Sequence, residues 1–376
     1  MIPMNDLSIQ YRKLKSEINN SIDRVLEHGK YIMGPEVLEL ERKLAEYVGV
    51  DYAVTCSSGT DALLLPLLAW EIGKGDAVFT TPFTFIATSE VVSLLGATPV
   101  FVDINPETYN IDPELLEQAI IRIIEEDGLK PRVVIPVDLF GLPADYEKIE
   151  AIAAKYNIRV LEDAAQGFGG RYKGRKAGSF GDAASTSFFP AKPLGCYGDG
   201  GAIFTRDSLL YEAIKSIRVH GQGIDKYDNI RIGINGRLDT IQAAILLAKL
   251  SIFDSEIDLR NEVANKYTAG LKELIKTPQV PEEYSSAWAQ YSVLTKDYEV
   301  RESLMREIND KGIQTAIYYR KPLHLQAANR KLGYKKGDFP ISEDISNRIL
   351  SLPMHPYLEN ETIAEIINLF VDNIKG

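Results

Sequence analysis

Lys192 stands where a basic side chain has no ordinary business. It lies in Ser187-Phe188-Phe189-Pro190-Ala191-Lys192-Pro193-Leu194-Gly195-Cys196-Tyr197-Gly198-Asp199-Gly200-Gly201. A lysine on a rigid, partly apolar loop is poorly hydrated, which favours the neutral, nucleophilic amine. Such an amine can form a Schiff base with a carbonyl; the bland alternative is a surface lysine in a turn. Other residues of chemical use fall where strands are predicted to end. Ser57-Ser58-Gly59-Thr60 joins a strand to a helix. It could offer backbone N–H groups and hydroxyls to a phosphate, or merely cap the helix. Asp163 closes the run Val160-Leu161-Glu162. A carboxylate at the mouth of a buried sheet needs hydrogen bonds or a cation, and a protonated pyridine nitrogen is one such cation. Phe85 could stack on a planar ring or belong to the core. Asp138, Gln166 and Ser187 complete the row of strand ends. A phosphate cup, a stacking aromatic, a carboxylate and a Schiff-base lysine are together the parts of a pyridoxal phosphate site.

The elements that must hold these residues alternate from about residue 50 to 205. Strands are expected at Tyr52–Cys56, Ala77–Thr81, Thr98–Val102, Val133–Val137, Arg159–Glu162, Ala184–Phe188 and Ala202–Thr205. Helices are expected at Asp61–Trp70, Thr88–Leu95, Pro113–Ile124 and Ala144–Tyr156, the third opened by Asp112 as N-cap and Pro113. Nearly continuous apolar strands separated by helices predict an α/β fold with a mainly parallel sheet between helical layers. In such sheets ligands bind beyond the C-terminal strand ends, where these residues stand. After Gly221 the pattern changes. A Gly/Asn-rich loop leads to one long helix, about Asp239 to Tyr267, then to a strand near Gln290–Thr295, a helix near Val300–Lys311, a strand near Gln314–Tyr319 and two closing helices. The expected division is a large cofactor-binding domain with an N-terminal arm, 1–249, and a smaller α+β domain, 250–376.

Composition excludes several classes. A net charge of −11, with no basic arm, argues against nucleic acid as a partner. No apolar run is long enough for a membrane helix, so no membrane partner is expected. Met1-Ile2-Pro3-Met4-Asn5-Asp6-Leu7 lacks a basic-then-apolar leader pattern, and Cys56 and Cys196 lack disulfide or redox spacing, so a cytoplasmic location is expected. His28, His220, His324 and His355 are scattered without ligand spacing, and no metal is expected. The Ser-rich turn is not a Walker loop, and no Gly-x-Gly-x-x-Gly follows the first strand, which removes a nicotinamide-dependent dehydrogenase.

The ordered motifs resemble the DegT/DnrJ/EryC1/StrS sugar aminotransferase family, within the fold type I enzymes. They include Gly34-Pro35-Glu36-Val37, Ser58-Gly59-Thr60-Asp61-Ala62-Leu63, Leu95-Gly96-Ala97-Thr98-Pro99-Val100-Phe101-Val102-Asp103 and Glu162-Asp163-Ala164-Ala165-Gln166. The match continues through the lysine loop, Asn235-Gly236-Arg237-Leu238-Asp239-Thr240 and Pro322-Leu323-His324-Leu325-Gln326, and covers essentially the whole chain. The resemblance implies that Lys192 carries pyridoxal 5'-phosphate and Asp163 keeps its ring nitrogen protonated. It implies that Gln166 contacts the ring oxygen, that Ser58, Gly59, Thr60 and Ser187 hold the phosphate, and that Phe85 lies against the ring. It also implies that Asn235, with Arg237, reaches across a homodimer into the partner's site, and that L-glutamate is the amino donor.

Family members that remove a sugar hydroxyl carry His in place of this lysine, so Lys192 favours amine transfer. The loop around it is most similar to that of enzymes aminating C3 of UDP-2-acetamido-2-deoxy-3-keto-D-glucuronic acid for surface polysaccharides. Where the family has His-Tyr, this chain has Tyr318-Tyr319 followed by Arg320. These residues, Arg237 and His324 are the expected sugar contacts. The alternatives are another keto-sugar nucleotide (UDP-3-keto-GlcNAc, a dTDP-3-keto-6-deoxyhexose or a 4-keto sugar) or a noncatalytic cofactor-fold regulator.

Overall fold

A computed structural model describes residues 1–225 and 227–375. Three N-terminal helices, α1 (Leu7–Lys13), α2 (Lys15–His28) and α3 (Pro35–Val48), precede the sheet. The sheet is built from β1 (Tyr52–Cys56), β2 (Asp76–Thr80), β3 (Thr98–Phe101), β4 (Lys130–Val134), β5 (Arg159–Asp163), β6 (Ala183–Ser187) and β7 (Gly201–Thr205). Between them run α4 (Gly59–Ala69), α5 (Ala87–Leu94), α6 (Pro113–Glu126) and α7 (Tyr146–Tyr156), and α8 (Ser208–Arg218) follows.

The spatial order of the strands is β1-β7-β6-β5-β4-β2-β3. Pairs from β6 to β3 are parallel, whereas β7 is antiparallel to both β1 and β6. The expected seven strands and mainly parallel sheet are therefore present. Consecutive residues face opposite ways in a strand. Val78 and Leu161 accordingly pack under α4 and α5, while Phe79 and Val160 pack against Ile120 and Ile149 of α6 and α7. Leu40 and Leu44 of α3 close the β7 end over Phe204.

The C-terminal part differs from expectation in two places. The anticipated single helix is two, α9 (Thr240–Leu250) and α10 (Phe253–Leu271). Ile252 leaves helical geometry, with φ −113° and ψ 3°, and packs beside Leu14, Ile18 and Ile245. The predicted strand 314–319 forms only single bridges, Ile313 to Ile2 and Ala316 to Ser351. The Thr315 N–H goes to the Asn309 side chain instead of a ladder. The C-terminal part also contains β8 (Tyr291–Leu294) antiparallel to β9 (Ile349–Leu352), with α11 (Tyr298–Asp310), α12 (Pro340–Arg348) and α13 (Asn360–Lys375). Val263, Tyr267, Tyr291, Leu350 and Ile366 form the core of this part. Among the described residues no helix is long and apolar enough to cross a membrane, and no cluster of His, Cys, Asp or Glu could hold a metal.

Candidate active site

The lysine loop is pinned at both ends by one rung of the sheet. Ser187 at the end of β6 pairs with Gly201 at the start of β7, and Phe188 N–H donates to the Gly200 carbonyl at 2.8 Å. Inside the loop, Lys192 N–H donates to Phe189 O and Cys196 N–H to Phe188 O, each at 2.8 Å. A β-carbon on Gly195 would meet Pro190 O at 2.5 Å, so only glycine lets this turn close. From behind, the Lys249 ammonium donates to Gly195 O at 2.7 Å. Lys192 itself is half-buried, and burial lowers its pKa while Asp163 pulls it back up. That is the electrostatic condition for a nucleophilic amine.

Asp163 ends β5 on the face covered by α5. Its Oδ2 accepts from the Thr88 hydroxyl at 2.9 Å, and its Oδ1 from Ala165 N–H at 3.2 Å. Thr88 lies one helical turn beyond Thr84, their hydroxyls 3.2 Å apart. Burial raises the Asp163 pKa, opposed by Thr88, Ala165 and Lys192. Two neutral donors and one displaced ammonium do not offset the desolvation, so a cation at close range is what this carboxylate would gain from most. A protonated pyridine nitrogen meets that demand.

The phosphate end fits as well. Ser58 Oγ caps α4 by accepting from Asp61 N–H at 3.1 Å, which leaves the Gly59 and Thr60 N–H groups at the helix start free of that cap. A β-carbon on Gly59 would come within 2.6 Å of Ser187 Cβ, and one on Gly201 within 2.4 Å of Ser58 O. Those contacts draw the strand ends into a narrow cup. Ser57 N–H donates to Gly236 O at 3.0 Å, which brings the Asn235–Arg237 stretch to the cup's rim. The residues present thus fit pyridoxal phosphate at ring nitrogen, carbonyl and phosphate.

Not every expected residue converges on this point. Phe85 is 56% exposed beside the site. Gln166 is buried, accepting from Phe140 N–H at 2.9 Å and donating to the Tyr319 hydroxyl at 3.1 Å. This bridge brings Tyr319 from the C-terminal part to the sheet, where its ring meets Phe83 edge-on. Tyr318 is half-buried next to it. Arg320 is exposed and lies 3.5 Å from Glu302. Arg237 is half-buried with its Nε unpartnered, and Asn235 is exposed. His324 is buried, its Nε2 2.9 Å from Glu343 and its ring against Phe339. That contact engages Nε2, while Nδ1 is buried without a partner. The sequence reading passed over Thr88 and Lys249. The only sequence signal for Thr88 was its four-residue spacing from Thr84, and for Lys249 a lone cation in Ala243–Leu247 and Leu250's apolar surroundings.

Comparisons with known proteins agree with this geometry. The DegT/DnrJ/EryC1/StrS aminotransferase family matches residues 12–371. The chain is 48% identical over 97% of its length to the UDP-2-acetamido-2-deoxy-3-oxo-D-glucuronate aminotransferase of Pseudomonas aeruginosa, 98% of which is covered. A DegT/DnrJ/EryC1/StrS aminotransferase from Brucella abortus superposes with a TM-score of 0.97 at 48% identity, with 100% of both chains covered. NtdA from Bacillus subtilis, solved with bound cofactor PMP, superposes with a TM-score of 0.88 at 30% identity, covering 97% of this chain and 82% of that one.

Proposed function

The chain belongs to the DegT/DnrJ/EryC1/StrS aminotransferase family, and on that premise we propose that it aminates C3 of UDP-2-acetamido-2-deoxy-3-keto-D-glucuronic acid. It is a pyridoxal phosphate-dependent sugar aminotransferase. The observation that carries the sugar assignment is the near-complete, 48% identical match to the Pseudomonas aeruginosa enzyme. L-glutamate is the proposed donor, and the proposed active form is a homodimer in the cytoplasm.

When bound, the cofactor supplies a carbonyl that exchanges for the donor's amine and a ring that accepts electron density. The chain's residues do the rest. Gly59 and Thr60 N–H groups and the Ser187 hydroxyl hold the phosphate at the positive end of α4. Phe85 would lie along the ring, and Asp163, steadied by Thr88 and Ala165, would hold the proton on the ring nitrogen. The Lys192 amine takes the proton from the donor's α-carbon and, in the second half-reaction, delivers one to the sugar's C3. Arg320 is free enough of Glu302, at 3.5 Å, to turn toward a uronate carboxylate. Tyr318 and Tyr319 line the approach from the C-terminal part. Asn235, exposed on the Gly/Asn-rich loop, would reach the neighbouring subunit's phosphate. Exposed Ile224, Ile230 and Ile232 on the same loop supply the apolar surface such a neighbour would cover.

The test is a visible spectrum before and after L-glutamate, followed by addition of the 3-keto-uronate nucleotide. Conversion of the bound cofactor by glutamate, and its return only with that sugar, is the expected result. Lys192→Ala should abolish both steps while circular dichroism stays native. Turnover by that variant, or return with the neutral 3-keto-GlcNAc nucleotide alone, would overturn the assignment.

A further inference from the structure

Past the end of β3, at the edge of the sheet, Asp103 has no part in the site described above, yet its carboxylate is heavily used. Val102 N–H donates to Thr80 O at 2.8 Å and Asp112 N–H to Asp103 O at 3.1 Å, so the backbone that carries this side chain is held from both sides. The side chain is buried and meets the C-terminal part of the chain. Its Oδ1 accepts from Ser342 N–H at 3.0 Å, from the Ser342 hydroxyl at 2.6 Å and from its neighbour Ile104 N–H at 2.9 Å. Its Oδ2 accepts from Ile341 N–H at 2.9 Å.

Ile341 and Ser342 open α12. Phe339 stands at the N-cap and offers no side-chain bond, and Pro340 has no N–H to satisfy. The helix therefore lacks a cap of its own, and Asp103 supplies one from the edge of the sheet. Its negative charge also meets the positive end of the helix.

What α12 carries gives this contact its consequence. Ile345 and Ile349 are buried in one cluster with Ile104 and Phe83, and Tyr318 and Tyr319 pack against that cluster. α12 runs directly into β9, and β9 holds the segment that leads to the tyrosines. Ala316 N–H donates to Ser351 O at 3.1 Å, and Ser351 N–H returns a bond to Ala316 O at 2.8 Å. Three residues further on, the Tyr319 hydroxyl meets Gln166. A shift of α12 against the sheet is thus passed to the tyrosines.

We propose that Asp103 is a positioning residue: by capping α12 it sets where Tyr318 and Tyr319 stand over the site, and so how well the sugar nucleotide fits. This rests on the reading of those tyrosines as lining the sugar's approach. The proposed donor, L-glutamate, is far smaller and does not fill that approach, so the two half-reactions respond differently.

The holoenzyme tests it. Asp103→Asn keeps the shape but turns one acceptor oxygen into an amide that cannot accept from the helix end. Conversion of the cofactor band by glutamate should stay within about twofold of wild type. The 3-keto-uronate nucleotide concentration needed for half-maximal return of that band should rise about tenfold or more. Ser342→Ala, which removes only the hydroxyl bond, should move the same value in the same direction by about threefold. A cap that served stability alone would lower the melting temperature without separating the half-reactions, so equal loss in both, or none in the second, overturns the proposal. Hydrogen exchange reads the latch without any sugar. In Asp103→Asn the Ala316 amide and those of α12 should exchange faster while β6 keeps its protection, and unchanged exchange also overturns it. Failure of the tyrosine reading is seen separately, as Tyr318→Ala and Tyr319→Ala variants that take the sugar nucleotide like wild type.

Discussion

At the scale of single residues, the site is a balance between burial and a few donors. Asp163 meets two donors inside the protein, and the shorter bond comes from Thr88 at 2.9 Å. Removing a hydrogen bond to a charged group costs about 1.5–3 kcal/mol. Thr88→Val, nearly isosteric, should therefore weaken pyridoxal phosphate binding roughly tenfold or more, read by equilibrium dialysis, with little change in fold. An unchanged affinity would mean that Asp163 does not need this hydroxyl. Lys192, Asp163 and the Ser58–Thr60 cup were legible in the sequence because chemistry restricts those positions to few residue types. Thr88 was not, since a threonine in a helix has many uses. The contact of His324 with Glu343 was equally hidden, because the two residues lie 19 positions apart and no local pattern joins them.

At the scale of elements, the lysine loop is held from behind by a helix that belongs to a different part of the chain. Lys249 is 1% exposed near the end of α9, and its pKa is pushed down to about 8 by burial. Its ammonium holds Gly195 O, three residues beyond Lys192, and lies 4.0 Å from the Tyr197 ring. Lys249→Met keeps the bulk and deletes the bond. We expect turnover to fall about tenfold with cofactor affinity changed far less, because the loop's position suffers and the phosphate cup does not. Stopped-flow rates with glutamate would separate the two. Strand and helix order around the sheet could be read from apolar periodicity. The α9–α10 break could not, because no glycine or proline marks it; Ile252 turns out of the helix to reach a tertiary pocket with Leu14 and Ile18.

For the whole molecule, acid stability and assembly are the accessible properties. His355 is buried near Arg260, and burial followed by that charge depresses its pKa to about 4, with Asp6 opposing. An imidazole that binds its proton less tightly when folded adds stability that is complete above the free value near 6.5. That contribution shrinks as pH falls toward 4, by roughly 3 kcal/mol in total. Denaturant titrations from pH 7 to 4 should show His355→Gln losing less stability than wild type; parallel curves would refute the assignment. Assembly is tested by complementation. Lys192→Ala and Asn235→Ala are each expected to be inactive, yet refolding them together should restore about a quarter of wild-type activity, since half the dimers then carry one intact site of two. No recovery would mean that Asn235 serves its own subunit. The proposed shared site could be read only through family resemblance, because a contact between chains leaves no periodicity in one of them.

The reversed strand β7 has a consequence for how such a protein changes over generations. Because β6 and β7 are hydrogen-bonded neighbours, the segment between Ser187 and Gly201 leaves the sheet and re-enters it at a single rung. It behaves as a cassette: its interior can be rewritten without altering register anywhere in the scaffold. A lineage can thus exchange the reactive side chain at position 192, and with it the reaction, by drift within one short segment while the fold is inherited intact.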